Sequence, residues 1–195
     1  MEAKKDMAVD SGFPDLSIEG STTVSELFLR RVTDFEKKVA MREKDFGVWN
    51  EYTWKDWGNQ AKWVGLGLKS LGFVRGDVCS IASEINKEWM FADLGVITVG
   101  GVTNGVYPTD ASNQVEYLIS DSETRFYFAE DEEQLDKVLE VRKRTPSLQK
   151  IIIFDMEGLR DFDDPQCMSF YDLIELGRTY EVQHTGLWEQ EIGRA

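Results

Sequence analysis

Apolar side chains recur along this chain with helical spacing in some stretches and as short continuous runs in others, and the switches between them mark the elements. Val24, Leu27, Phe28, Val32 and Phe35 share one helical face. Thr23-Val24-Ser25-Glu26 forms a capping box ahead of them, so a helix is predicted from Val24 to Lys38. Ala40–Glu43 and Val48–Tyr52 flank Asp45-Phe46-Gly47, which reads as a hairpin turned at the glycine. Trp57, Ala61, Val64, Leu68 and Leu71 return to helical spacing, and Gly72 ends that helix. Gly65 and Gly67 lie inside it, each costing about 1 kcal/mol relative to Ala. Close packing against a sheet is the expected compensation.

After a turn at Gly76-Asp77 the pattern becomes repetitive. Val78–Ala82 reads as a strand, and Lys87–Val99 as a helix apolar nearly all round and therefore buried. Val102–Tyr107 is strand-like, and Ser112 is expected to cap a helix carrying Val115, Leu118 and Ile119. Arg125–Ala129 is a strand. Asp131-Glu132-Glu133 opens a helix with Leu135, Val138 and Leu139 inward and Arg142-Lys143-Arg144 at its end, charges that suit the helix dipole. Lys150–Phe154 looks like a strand covered on both faces. Strand, helix and strand repeating at about 25 residues predict right-handed βαβ units and a parallel sheet. Asp155–Cys167 reads as a loop, and Ser169 caps a last helix with Phe170, Leu173 and Ile174. Beyond Thr179 the period fades and no closing element is visible. Residues 1–20 are polar and read as a flexible arm. The predicted fold is α/β, a three-layer parallel-sheet (βαβ) piece preceded by a helix and a hairpin.

Composition sharpens this reading. The 195 residues are 42% hydrophobic with 4 prolines, enough for a packed core rather than a disordered chain. Lys and Arg total 22 against 36 Asp and Glu, a net charge of −14. That surface repels phosphate backbones over a Debye length of roughly 8 Å, which excludes nucleic acid as the main partner. Cys79 and Cys167 form no CxxC pair and read as core fillers in a reducing, cytoplasmic compartment. The longest apolar stretch, Trp89–Val102, contains Asp93 and three glycines and is too short to span a bilayer.

The chemistry search yields no catalytic or metal-ligating set. His184 is the only histidine, and no G-x-S-x-G elbow exists for it to serve, so it reads as a surface residue. Neither a G-x-x-x-x-G-K-[ST] loop nor a G-x-G-x-x-G fingerprint is present, and Gly65-Leu66-Gly67 lies within a helix. The acidic runs Glu130–Glu133 and Asp161–Asp164 lack the alternation of a calcium loop. The many aromatic residues lack interleaved basic ones and belong to the core or to subunit contacts.

One ordered series of motifs carries more. Tyr52-Thr53-Trp54-Lys55-Asp56-Trp57 is followed by Leu71-Gly72, Gly76-Asp77-Val78, Asn86-Lys87-Glu88-Trp89 and Ala92-Asp93-Leu94-Gly95. Gly100-Gly101-Val102, Gly105-Val106-Tyr107-Pro108-Thr109, Val115-Glu116-Tyr117-Leu118 and Asp121-Ser122-Glu123 complete it. In this order and spacing the series resembles the N-terminal part of the adenylate-forming (AMP-binding) enzymes over about Ser21 to Ile153. The Val-Tyr-Pro-Thr version is most similar to long-chain fatty acid–CoA ligases.

The resemblance implies an incomplete N-terminal adenylation domain over residues 21–195. Such enzymes join a fatty acid to coenzyme A through an acyl-adenylate, using ATP and Mg²⁺ and releasing AMP and pyrophosphate. The Ser/Thr/Gly-rich phosphate loop and the later acidic, Arg and Lys motifs of that family are missing, so the segment alone is expected to be inactive. The resemblance places Gly105 and Tyr107 near the coenzyme A channel, at the carboxyl end of a parallel strand where ligands gather. The family's basic contacts to the nucleotide are absent, because Glu130–Glu133 is acidic. A homodimer and peripheral membrane association belong to the same expectation. The competing reading is a non-catalytic interaction or lipid-binding module derived from such an enzyme. A small flavodoxin-like enzyme is a third, which the lack of a phosphate-binding Gly loop disfavours.

Overall fold

The computed structural model describes residues 17–194. The arm expected over residues 1–20 lies largely outside them. Its last residues form a tight turn in which Ile18 and Ser21 exchange backbone hydrogen bonds of 3.0 and 2.9 Å. Helix α1 (Val24–Asp34) then starts at the expected capping box, with Thr23 Oγ1 accepting from the Glu26 N–H at 3.2 Å. It ends four residues earlier than its apolar period suggests. The Lys38 carbonyl accepts from Trp54 N–H and Val39 pairs with Thr53, so the hairpin draws the chain out of the helix.

That hairpin is β1 (Val39–Asp45) and β2 (Val48–Thr53), paired antiparallel. Helix α2 (Trp54–Ser70) follows directly, capped by Thr53. Trp54 and Trp57 stack at 5.4 Å, and the edge of Trp57 meets Phe28 of α1 at 5.2 Å. The aromatic motif thus fastens the base of the hairpin to the helices.

The repeating part forms β3 (Val78–Ala82), α3 (Lys87–Thr98), β4 (Val102–Val106), α4 (Ser112–Asp121), β5 (Phe126–Ala129), α5 (Glu132–Val141) and β6 (Lys150–Ile153). Two elements escaped the periodicity. A three-residue strand, β7 (Cys167–Ser169), ends the Asp-rich loop, and after α6 (Phe170–Gln183) a short helix, α7 (Leu187–Ile192), closes the fold. All five strands of the main sheet run parallel in the order β4-β3-β5-β6-β7.

Alternation along the strands makes two cores. Phe126, Phe128 and Ile152 face the layer of α1, α2, α3, α6 and α7, while Tyr127, Ile151 and Ile153 face α4 and α5. This is the three-layer α/β architecture, with β5 and β6 buried on both faces as their apolar runs require.

Three expectations need correction. Gly65 and Gly67 pack against helices rather than the sheet: a Cβ on Gly65 would lie 2.8 Å from the Gly95 carbonyl oxygen of α3, and one on Gly67 would strike the Leu173 carbonyl of α6. Ser112 is not the cap of α4. Ala111 holds that position, its N–H satisfied by Gln114 at 3.0 Å, and Ser112 Oγ donates to Glu140 at 2.6 Å. The faded C-terminal stretch is not a loose tail, since Trp188 and Ile192 of α7 are buried in the first core. His184 is exposed as expected, its ring stacked on Tyr180 at 3.9 Å. Among the described residues no helix is long and apolar enough to cross a membrane.

Candidate functional site

Strand order decides where a ligand fits. The chain leaves β3 toward the α3 layer, whereas it leaves both neighbours, β4 and β5, toward the α4/α5 layer. Loops that part in opposite directions open a crevice on each side of the β3 carboxyl end.

The crevice between β3 and β5, about 380 Å³, is lined by acid. Glu130 takes the Glu84 N–H at 2.7 Å and the Asn86 side-chain amide at 3.4 Å, tying the two loops together. Asp131, Asp155, Glu43 and Glu88 also line it. Lys87 is the one base there among the described residues. It pairs with Glu43 at 2.9 Å and Glu88 at 3.0 Å. Burial works to lower the Lys87 pKa, but its hydrogen bonds to Glu43 and Glu88 outweigh burial and hold it above the usual lysine range. A phosphate would meet carboxylates here and no free cation.

The crevice between β3 and β4 is a groove of similar size, about 400 Å³, with a different lining. One wall is the loop after β3, Ser83-Glu84-Ile85, with Trp89 in the first turn of α3; the other is Gly105-Val106-Tyr107-Pro108-Thr109. The structure therefore brings the two sequence-predicted residues, Gly105 and Tyr107, into one groove. Gly105 is on the floor, where an added Cβ would meet nothing within 4 Å. Tyr107 stands at the mouth, 76% exposed.

The loop carrying them is fixed at three points. Tyr107 N–H donates to Asp110 Oδ2 at 3.3 Å, and Asp110 N–H returns to the Tyr107 carbonyl at 2.9 Å. Lys137 Nζ of α5 donates to the Pro108 carbonyl at 2.6 Å. Below the loop, the Tyr127 hydroxyl is buried without a hydrogen-bond partner, and desolvation together with the Asp110 charge pushes its pKa up. On α3, one turn beyond Trp89, burial raises the Asp93 carboxyl.

Among the described residues Glu84 is the only charged side chain lining the groove, and its walls are mainly apolar. A slender, uncharged ligand fits these apolar walls and a polyphosphate does not. Ile85, Trp89 and Lys137 were not legible as site residues. Trp89 belongs to a recognisable motif, but its place opposite Gly105 depends on β4 lying beside β3.

A doubly wound parallel sheet with a ligand-sized groove at the carboxyl ends of its strands is the arrangement in which open α/β folds seat ligands. The AMP-binding enzyme family model matches residues 28–172, most of the chain, and the chain belongs to that family. The long-chain-fatty-acid–CoA ligase ACSBG2 of Xenopus laevis is 27% identical over 178 residues, covering 90% of this chain and 24% of that protein. The long-chain-fatty-acid–CoA ligase FadD15 of Mycobacterium bovis is 35% identical over 106 residues, covering 54% of this chain and 18% of the relative. The chain thus spans about a quarter or less of the length of these relatives. Among solved structures, the anthranilate CoA ligase AuaEII in complex with anthranoyl-AMP superposes with a TM-score of 0.68 at 22% identity, covering 85% of this chain and 28% of that one. Coronafacic acid ligase from Pectobacterium brasiliense gives 0.68 at 16% identity, covering 77% and 29%. These two likenesses establish the fold.

Proposed function

We propose that this chain is the N-terminal scaffold of an ATP-dependent long-chain acyl-CoA ligase, with residues 21–195 forming part of the adenylation domain. Its groove takes the pantetheine arm of coenzyme A and its own residues do not carry the adenylation step. The observation that carries the reading is the contrast in lining between two crevices of similar size: a mainly apolar one floored by Gly105 and an acidic one at Glu130. Pantetheine is slender and uncharged, which matches the mainly apolar walls of the groove. The nucleotide end of coenzyme A and the Mg²⁺–ATP of the reaction need basic or hydroxyl-rich cradles, and such groups belong to parts of the enzyme other than this groove. Fatty acid as substrate follows the names of the curated relatives, and a cytoplasmic location with homodimer assembly completes the reading.

Titrating pantetheine into isotopically labelled chain tests the assignment. Chemical-shift changes are expected at the Gly105–Thr109 amides and at Trp89 Nε1–H, with millimolar affinity. Gly105→Trp fills the groove and removes them, while ATP leaves these signals unmoved. Shifts at Glu130–Asp131 in place of Gly105 would reject the groove.

A further inference from the structure

The tip of the hairpin carries a residue that local backbone chemistry would not choose. β1 and β2 are joined through Phe46 and Gly47, whose φ angles are both positive, 44° and 85°. A two-residue turn of this kind favours Asn or Asp before Gly, because a short polar side chain tolerates the left-handed region and a bulky one clashes there. Phe46 occupies the first position, and its side chain is 100% exposed. Val48 at 63% and Trp49 at 61% stand beside it. Tyr52, Trp54 and Trp57 at the hairpin base turn inward onto the core. The backbone is strained and the ring is exposed, and nothing among the described residues offsets either cost.

We infer that this tip inserts into the interfacial layer of a lipid bilayer. Further down the strands the charges are paired: Arg42 with Glu51 at 2.8 Å and Glu43 with Lys87 at 2.9 Å. Lys44 lies over the Trp49 ring at 5.9 Å. Between Glu36 and Thr53 basic and acidic side chains number four each, although the whole chain carries −14. The hairpin is therefore a part of the surface that approaches lipid headgroups without net repulsion. Area selects a bilayer over a protein partner. Three side chains on a convex apex fall far short of the roughly 800 Å² per partner that stable protein interfaces bury. A bilayer demands only a shallow wedge, and tryptophan settles at the headgroup level. Asp45 beside Phe46 keeps the insertion shallow and favours a zwitterionic surface.

Flotation of the 195-residue chain with phosphatidylcholine vesicles tests this, with Phe46→Asn, the double variant Phe46→Asn/Trp49→Ser, and Val182→Ser as a control at another exposed apolar residue. The wild type is expected to float with the vesicles. Phe46→Asn lowers the bound fraction about fivefold or more while raising the melting temperature, since it relieves the turn. The double variant stays unbound and Val182→Ser binds as the wild type does. Exchanging about a third of the lipid for phosphatidylserine weakens wild-type binding. A wild type that fails to float, a double variant that floats unchanged, or binding that strengthens with phosphatidylserine overturns the inference. Loss of a dimer in the Phe46→Asn variant by size-exclusion chromatography overturns it as well, because the tip is then a protein contact.

Discussion

Replacing Gly177 by alanine is expected to destabilise the protein by about 3 kcal/mol or more, against the total of roughly 5–15 kcal/mol typical of a folded domain. The sign is informative, because two effects oppose each other. Helix propensity alone favours alanine by about 1 kcal/mol in the interior of α6. Packing decides otherwise: an added Cβ would fall inside the contact distance of the Trp63 carbonyl oxygen, a backbone atom of α2. A flexible side chain could move aside, but a helix backbone shifts only by prising α2 from α6, the most extensive helix contact in the fold. Urea unfolding should show a large fall in midpoint for Gly177→Ala. Gly105→Ala should stay within about 0.5 kcal/mol of wild type, as its Cβ enters open space. Equal effects at the two glycines would contradict the packing account.

Removing Trp188 is expected to cost about 3–5 kcal/mol, the range for deleting a large buried aromatic side chain. Trp188 is 4% exposed, and its indole N–H donates to Thr98 Oγ1 at 3.0 Å; that hydroxyl donates on to the Gly95 carbonyl at 3.1 Å. α7 is six residues long and has no helical stability of its own, so this ring and Ile192 hold it in place, with Lys69 pairing Glu191 at 3.2 Å. Trp188→Ala should lower the urea midpoint sharply and open the chain after His184 to limited proteolysis. Trp188→Phe keeps most of the packing and should lose only about 1 kcal/mol, the net worth of one hydrogen bond. An alanine variant as stable and as resistant as the wild type would mean that α7 is not part of the core.

The sequence reading succeeded where burial is continuous and failed where contact is remote. β5 and β6 are visible because strands covered on both faces read as apolar runs, and β3 reads the same way apart from Ser80. β7 is three residues long with ordinary side chains, and pairing with β6 makes it a strand. α7 offers only Trp188 and Ile192 to the core, too few positions for a period to emerge. Gly65 and Gly67 announce a close approach but not its partner, and the partners proved to be helices. At the site, Gly105 and Tyr107 were legible through the order of motifs. Ile85 and Trp89 were not, because they oppose Gly105 only after the chain places β4 on the side of β3 away from β5. Phe46 was hidden by its neighbour: Gly47 accounts for the turn, and only the backbone angle shows that Phe46 bears a strain of its own.

The proposal that links these features is that this chain of the AMP-binding family holds a ligand groove and that its own residues do not carry the adenylation step. ATP–pyrophosphate exchange by the purified 195-residue chain, with long-chain fatty acid and Mg²⁺ present, tests it most directly. The account predicts no exchange above the protein-free background. Sustained exchange that survives purification and is lost with Glu130→Ala or Gly105→Trp would contradict it, because these residues would then form an adenylating centre.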